Sequence, residues 1–449
     1  MTKNETNMKK NLKTIDLVLL GLGAVVGTGI FVITGTAANQ YAGPGLVFSF
    51  MIAGLVIILI GLCYAELSSR LPLAGGPYAY MLAIAGKQVA WIAGWFTIWE
   101  YLLASASVAS GWSGYLNGFL TSLGIPLPTM FQASYNAEAG TYIDLIAISM
   151  TLFVTWIVSQ EAKKALRLNN ALFFLKFIII ALFIVVGLFY INPENWTPIM
   201  PYGLSGVTSG ATLVFFAFLG FDSISMSAEE VENPQKSLPR GILIAIGIST
   251  LLYILVTVVL TGIVPYTDLG VKDPVAFALR YVDQNLIAAV VSVGAILTLL
   301  TVLIAMLYGL ARLLYAMSKG KLLPDYLNHI NEKTGVPQRA TWAAGLIAAV
   351  FSGLIPLQSL AELTNLVTLV VMMMLAIGLI FLRKQRGEPT DGQFRVPWVP
   401  FIPIVTVLIA GYLILQLSTL TWILFGFCFL AGIIVYIVFT KKIETEQTI

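Results

Sequence analysis

Two ionisable residues stand where their surroundings make a charge costly. Lys176 lies within Phe173-Phe174-Leu175-Lys176-Phe177-Ile178, and Glu100 follows Trp99 inside another apolar run. A charge at the centre of a bilayer costs from a few to more than ten kcal/mol. Lys176 is about eight residues into its run, roughly 12 Å at 1.5 Å per residue, so snorkelling to an interface competes with a functional role. Burial and a neighbouring carboxylate act on an ammonium in opposite directions. A Lys176–Glu100 pair would therefore be a site that protons can switch, and proton coupling is assigned to these two residues.

A second kind of chemistry is available from backbone groups. Gly21-Leu22-Gly23-Ala24-Val25-Val26-Gly27-Thr28-Gly29-Ile30-Phe31 and Phe215-Phe216-Ala217-Phe218-Leu219-Gly220-Phe221-Asp222-Ser223 are stretches that an unbroken helix disfavours. Glycine costs about 1 kcal/mol relative to alanine in a helix interior and lets the chain leave helical geometry. Gly21 alone reads as close helix packing; Gly27-Thr28-Gly29 reads as an unwound segment. A broken helix offers N–H groups to a carboxylate and C=O groups to an ammonium. Two breaks meeting in the membrane could hold both charges of a zwitterion. Asp222 reads as a cap on the helical segment after its break. Phe216 is placed where a ring could cover a bound substrate.

The elements that position these residues follow from composition. Of 449 residues, 58% are hydrophobic and 10% charged, against about 25% charged in soluble domains. Lipid must be the solvent for much of the surface. The apolar runs are 15–41, 44–67, 88–119, 141–160, 168–190, 207–229, 239–264, 283–318, 340–356, 360–382, 398–417 and 421–440. Read one by one they predict an all-α integral membrane protein with twelve transmembrane helices. The connecting segments, numbered from the N-terminus, split the charge: 22 of the 25 Lys and Arg fall in odd segments or, as Arg240 and Arg312 do, near the run ends that adjoin them, two (Lys272 and Arg280) fall in even ones, and Lys176 lies deep inside a run. Positive charge stays on the cytoplasmic side, which predicts both termini there and an even number of spans. The two breaks fall five helices apart, in helices 1 and 6, and so do the two overlong runs, in helices 3 and 8. That spacing predicts a five-plus-five inverted repeat. The first run carries no clear cleavage site and reads as a retained span. Cys63 and Cys428 read as small apolar packing residues, His329 as a solvated loop residue, and Glu66 and Asp16 as interfacial charges. No metal motif and no convergent catalytic set is present, so an enzyme is not expected.

Ordered motifs then carry a resemblance. They are Gly27-Thr28-Gly29-Ile30-Phe31, Ala42-Gly43-Pro44, Tyr64-Ala65-Glu66-Leu67, Ala74-Gly75-Gly76-Pro77-Tyr78, Glu100-Tyr101, the run from Phe215 through Asp222 to Ala228-Glu229-Glu230-Val231-Glu232-Asn233-Pro234, and Phe394-Arg395-Val396-Pro397. Over nearly its whole length the chain resembles the amino acid–polyamine–organocation superfamily, more narrowly bacterial members of its cationic amino acid transporter family. The resemblance implies the LeuT-type fold with alternating access. It implies substrate contacts by Thr28, Gly29 and Ile30 through amides to the α-carboxylate. It also implies contacts by Val25, Phe216, Ala217 and Leu219 through carbonyls facing the α-amino group, and by Met306 in the side-chain pocket. Phe216 matches a gating aromatic, Lys176 a lysine that replaces sodium, and Glu100 an acid linked to that lysine.

The expected organisation is a cytoplasmic tail over 1–14, a ten-helix core over 15–382 with repeats near 15–190 and 207–382, two further helices over 383–440, and a cytoplasmic tail over 441–449. The expected function is proton-coupled import of L-amino acids across a bacterial cell membrane, without sodium or cofactor. Small neutral substrates are favoured because Met306 offers bulk and little polarity, where an Arg or Lys side chain would want acceptors. A cationic amino acid transporter or an exchanger is the alternative; a channel or an amino-acid sensor is more distant. Partners are the substrate and the bilayer, with no nucleic acid, a monomer favoured and a small membrane subunit conceivable.

Overall fold

The computed structural model describes residues 12–73, 75–160, 173–226, 228, 231–331 and 334–447. Glu229 and Glu230 of the motif after the second break, Ala74, and nearly all of the expected N-terminal tail lie outside them. The principal helices are α1 (Thr14–Val25), α2 (Leu46–Arg70), α3 (Gly76–Ala85), α4 (Lys87–Ser122), α5 (Leu145–Gln160), α6 (Phe173–Gly187) and α7 (Gly203–Val214). They continue with α8 (Pro234–Ile263), α9 (Pro274–Tyr281), α10 (Asn285–Lys319), α11 (Gln338–Leu354), α12 (Leu357–Arg386), α13 (Phe401–Leu415) and α14 (Thr419–Gln447).

The twelve-span count does not stand. Among the described residues, six helical stretches are long and apolar enough to cross a membrane: Thr14–Arg70, Gly203–Ser225, Pro234–Ile263, Asn285–Lys319, Leu357–Arg386 and Thr419–Val438. The count fails because the apolar runs are not all separate, membrane-long helices. The first two runs form one stretch of 57 residues, and Leu145–Gln160, Phe174–Tyr190 and Phe401–Leu415 are shorter apolar helices. The run at 88–119 becomes a helix of 36 residues rich in Ser, Gly and Trp. The LeuT-type five-plus-five inverted repeat falls with the count. The two breaks differ in kind, one a π turn and the other a 3-10 turn. The similar lengths of α4 and α10, 36 and 35 residues, do not by themselves make a repeat. What remains is an all-α, multi-pass membrane fold.

Small residues bring the helices together, as packing without a hydrophobic drive between spans requires. Gly54 and Gly61 of α2 face Thr250 and Ile246 of α8, and Gly345 of α11 faces Thr155 of α5. Several buried hydroxyls are satisfied within their own helices: Thr97, Ser105, Thr155, Thr257 and Thr406 each donate to the carbonyl four residues back. Hydrocarbon offers them no other acceptor. Leu55, Leu251, Leu408 and Phe427 are among the large apolar side chains left facing outward. Cys63 and Cys428 are free and buried, and His329 is exposed in its loop.

One reading of a charge changes. Glu66 is fully buried rather than interfacial. Its carboxylate accepts from Arg383 Nε at 2.9 Å and Nη2 at 2.6 Å, from Val396 N at 2.8 Å, and from Arg70 Nη1 at 3.4 Å. The clasp joins α2, α12 and the 394–397 motif. Asp16 accepts from Lys13 N at 2.8 Å and caps α1. Further along the chain, the segment between α8 and α10 docks on α4, where Gly114 and Gly118 leave room for Lys272 and Asp273. Arg280 donates to Asp273 at 2.6 Å, and Lys272 pairs with Asp144 at 3.5 Å. Burial raises the Asp273 carboxyl above the ordinary range, with Arg280 opposing.

Candidate functional site

Both sequence breaks are breaks in the structure. α1 stops at Val25, Val26 turns extended, and helical winding resumes in the π turn Gly29–Ile33. The second break is the 3-10 turn Phe215–Phe218, followed by extended Leu219 and by Gly220 at φ +103°. That φ suits glycine. Helix resumes at Ser223, whose N–H and hydroxyl both donate to Gly220 O.

The breaks touch. A β-carbon on Gly29 would collide with the Ala217 backbone, and one on Gly220 would fall 3.0 Å from Ala24 Cβ. Tyr253 of α8 reaches both: its hydroxyl is 3.0 Å from Val25 O and 2.7 Å from Ala217 O. One hydroxyl has one proton to give, so the two carbonyls compete for it. They converge on one point with more acceptor capacity than the tyrosine fills. Tyr115 of α4 donates to Phe31 O at 2.7 Å, and Gly111 lets α4 close on Thr28 and Val32. The Thr28 hydroxyl is buried without a hydrogen-bond partner among the described residues.

The remaining expected residues are distributed as follows. Ile30, Phe216 and Leu219 are buried at the breaks, and Met306 is buried on α10. Val302, one turn from Met306 on the same face, packs on Gly27. Lys176 on α6 is fully buried, and its ammonium donates to Gly23 O near the end of α1. Glu100 on α4 has other neighbours, Asp222 and Thr368. No ion pair joins Glu100 to Lys176 among the described residues, so the two expected coupling groups are not brought together. Asp222, expected as a cap, also accepts from Tyr101 Oη at 3.2 Å.

Tyr253 and Tyr115 were not singled out in the sequence, and Tyr101 entered only as part of a motif, without a role. Their signal was present: each is a tyrosine inside an apolar stretch, and a buried phenol usually finds a partner. A cavity of about 510 Å³ lies beyond the breaks toward the end of α4, lined by Asn117, Lys272, Asp273 and Arg280 among others. Among the described residues no group of three or more His, Cys, Asp and Glu is placed to hold a metal ion.

Apolar spans, two broken helices in contact and a buried cation near one of the breaks suit a membrane permease. The chain belongs to the amino acid permease family, whose sequence model matches residues 12–448. It is 42% identical over 436 residues to the methylthioribose transporter of Bacillus subtilis (strain 168), covering 97% of this chain and 94% of that one. It is 40% identical over 444 residues to the branched-chain amino acid permease BcaP of the same organism, covering 98% and 95%. It is 34% identical over 390 residues to the human cationic amino acid transporter 4, covering 86% of this chain and 61% of that one. It is a secondary transporter of the amino acid–polyamine–organocation superfamily, resident in the cell membrane, that moves amino acids.

Proposed function

We propose that the protein imports small neutral L-amino acids and that Lys176 couples uptake to protons. The observation that carries the coupling is the buried Lys176 ammonium on Gly23 O, at the end of the helix that breaks. Charged, Lys176 ties α6 to α1 and favours the arrangement that binds substrate. Deprotonated, it loosens that tie and favours release. By the family resemblance, its positive charge takes the part that sodium plays in sodium-coupled relatives. Glu100 belongs to the same device only indirectly, through Asp222 and the second break.

Substrate binding rests on the two breaks. Thr28, Gly29 and Ile30 open a helical segment whose first N–H groups suit a carboxylate, those of Thr28 and Gly29 foremost, since Ile30 N donates to Gly27 O at 3.2 Å. The carbonyls of Val25 and Ala217 converge on a point suited to an ammonium, with Phe216 and Leu219 beside them. Val302 and Met306 are apolar neighbours that favour a neutral side chain over Arg or Lys. The similarity to BcaP supports a neutral, apolar substrate. The similarity to the methylthioribose transporter supports a second reading, a neutral thiosugar, which has neither charge of a zwitterion.

Uptake into proteoliposomes under an imposed pH gradient separates these readings. Labelled alanine, valine, arginine and methylthioribose are supplied in turn. Accumulation of the neutral amino acids alone is expected. Accumulation of arginine alone, or of methylthioribose alone, rejects the substrate assignment. Alanine counterflow without net accumulation rejects symport in favour of exchange.

A further inference from the structure

The last helix is stitched to α4 by a ladder of indoles. Trp91, Trp95 and Trp99 recur every four residues on α4 and so share a face. Trp91 Nε1 donates to Gly432 O at 3.2 Å, and Trp95 Nε1 donates to Cys428 O at 2.8 Å. Each step of four along α4 matches a step of four back along α14. The next rung would join Trp99 to the carbonyl of Leu424. It is not made: Trp99 Nε1 is buried without a hydrogen-bond partner among the described residues. Its ring stacks on Phe351 of α11, with centroids 5.9 Å apart and planes at 18°.

Where the rung is missing, a cavity of about 380 Å³ opens between α4, α11, α12 and α14. Leu103, Phe351, Leu363, Leu424 and Phe427 line it together with Trp99. Its size falls in the range of small-molecule sites, about 300–1,000 Å³. Water is a poor occupant, because a buried water needs two to four polar partners and these walls are almost wholly apolar. The cavity reaches the lipid-facing surface at Phe427, which lines it and is 67% exposed. Ile355, in the turn between α11 and α12, and Ser359, in the first turn of α12, line one end of it. Trp99 and Leu103 of α4 form another wall. An apolar space open to the lipid face can admit a lipid tail.

We propose that this cavity binds an acyl chain of a membrane glycerolipid. The chain fills the space left by the missing rung and seals α14 against the bundle. The surrounding bilayer supplies such chains at higher concentration than any other apolar ligand.

The test uses the whole protein in vesicles containing a phospholipid with a photoactivatable diazirine on its acyl chain. Labelled peptides are mapped by mass spectrometry. Leu363 and Phe427 should label about tenfold more than Ile244 and Leu251 on the open lipid face of α8, the ratio set by about 1.4 kcal/mol of preferential binding. Ala431→Phe, which puts a ring at the cavity wall, should bring cavity labelling down to the α8 level without changing α8. Cys428→Phe is a second plug should the first not fold. Equal labelling of cavity and α8 in the unaltered protein overturns the proposal, as does cavity labelling that survives a plug in folded protein.

Discussion

Tyr253→Phe removes a single oxygen from the point where the two breaks meet. That hydroxyl is shared by Val25 O and Ala217 O, at 3.0 and 2.7 Å. Val25 is 4% and Ala217 1% exposed, so water cannot replace it. One proton serves both acceptors, so the loss is that of about one buried hydrogen bond, ~1–3 kcal/mol when its partner is left unsatisfied. A bound α-ammonium would bring three donors to the same carbonyls and restore what the phenylalanine lacks. The variant should therefore melt earlier without substrate and show a larger substrate-induced rise in melting temperature than the unaltered protein. Thermal unfolding in detergent, with and without a transported amino acid, reads both quantities. A drop of equal size in the two conditions would mean that the ammonium does not bind at these carbonyls. No drop at all would mean that the hydroxyl does not hold them.

Three other perturbations have definite outcomes. Gly29→Ala should abolish uptake, because its methyl group meets Ala217 backbone that cannot swing aside, whereas Gly247→Ala, with open space around it, should transport normally; proteoliposome uptake compares them. Arg383→Ala leaves the Glu66 carboxylate buried without its main partner and should destabilise by about 3–5 kcal/mol, seen as a loss of folded protein on heating, and Arg383→Lys should recover only part of it because the paired donors are lost. Burial raises the Asp273 carboxyl, so the folded state holds that proton over a range where the unfolded chain has lost it. Stability should therefore fall as pH rises through the window just above the ordinary carboxylate range, and Asp273→Asn should flatten that slope in a melting-temperature titration.

The breaks were legible because glycine is a local signal: Gly27-Thr28-Gly29 and Gly220 declare a departure from helix without reference to any neighbour. Lys176 was legible for a similar reason, since a lysine among phenylalanines and isoleucines is anomalous wherever it sits. Its partner was not. Glu100 is equally anomalous, and pairing two anomalies was natural, but a sequence holds no distances. The structure sets Glu100 beside Asp222 and Lys176 on Gly23 O. Tyr253 was hidden because a tyrosine in an apolar run is ordinary, and its role comes from two carbonyls over thirty residues or more away. The span count erred for a related reason. Hydropathy marks apolar runs, yet it does not say that the runs ending at Tyr41 and Leu67 continue one helical stretch, nor that 88–119 is rich enough in Ser and Gly to read differently as a helix. Glu66 looked interfacial because it lies near a helix end. Arg383, more than three hundred residues on, is what buries it.

The most direct test of the central claim is alanine uptake into proteoliposomes by the unaltered protein and by Lys176→Ala, each with and without an imposed pH gradient. Counterflow at equal pH is measured on the same preparations as a check on folding. The account predicts that Lys176→Ala loses gradient-driven accumulation while alanine counterflow persists. Gradient-driven accumulation at the unaltered rate in Lys176→Ala would contradict it.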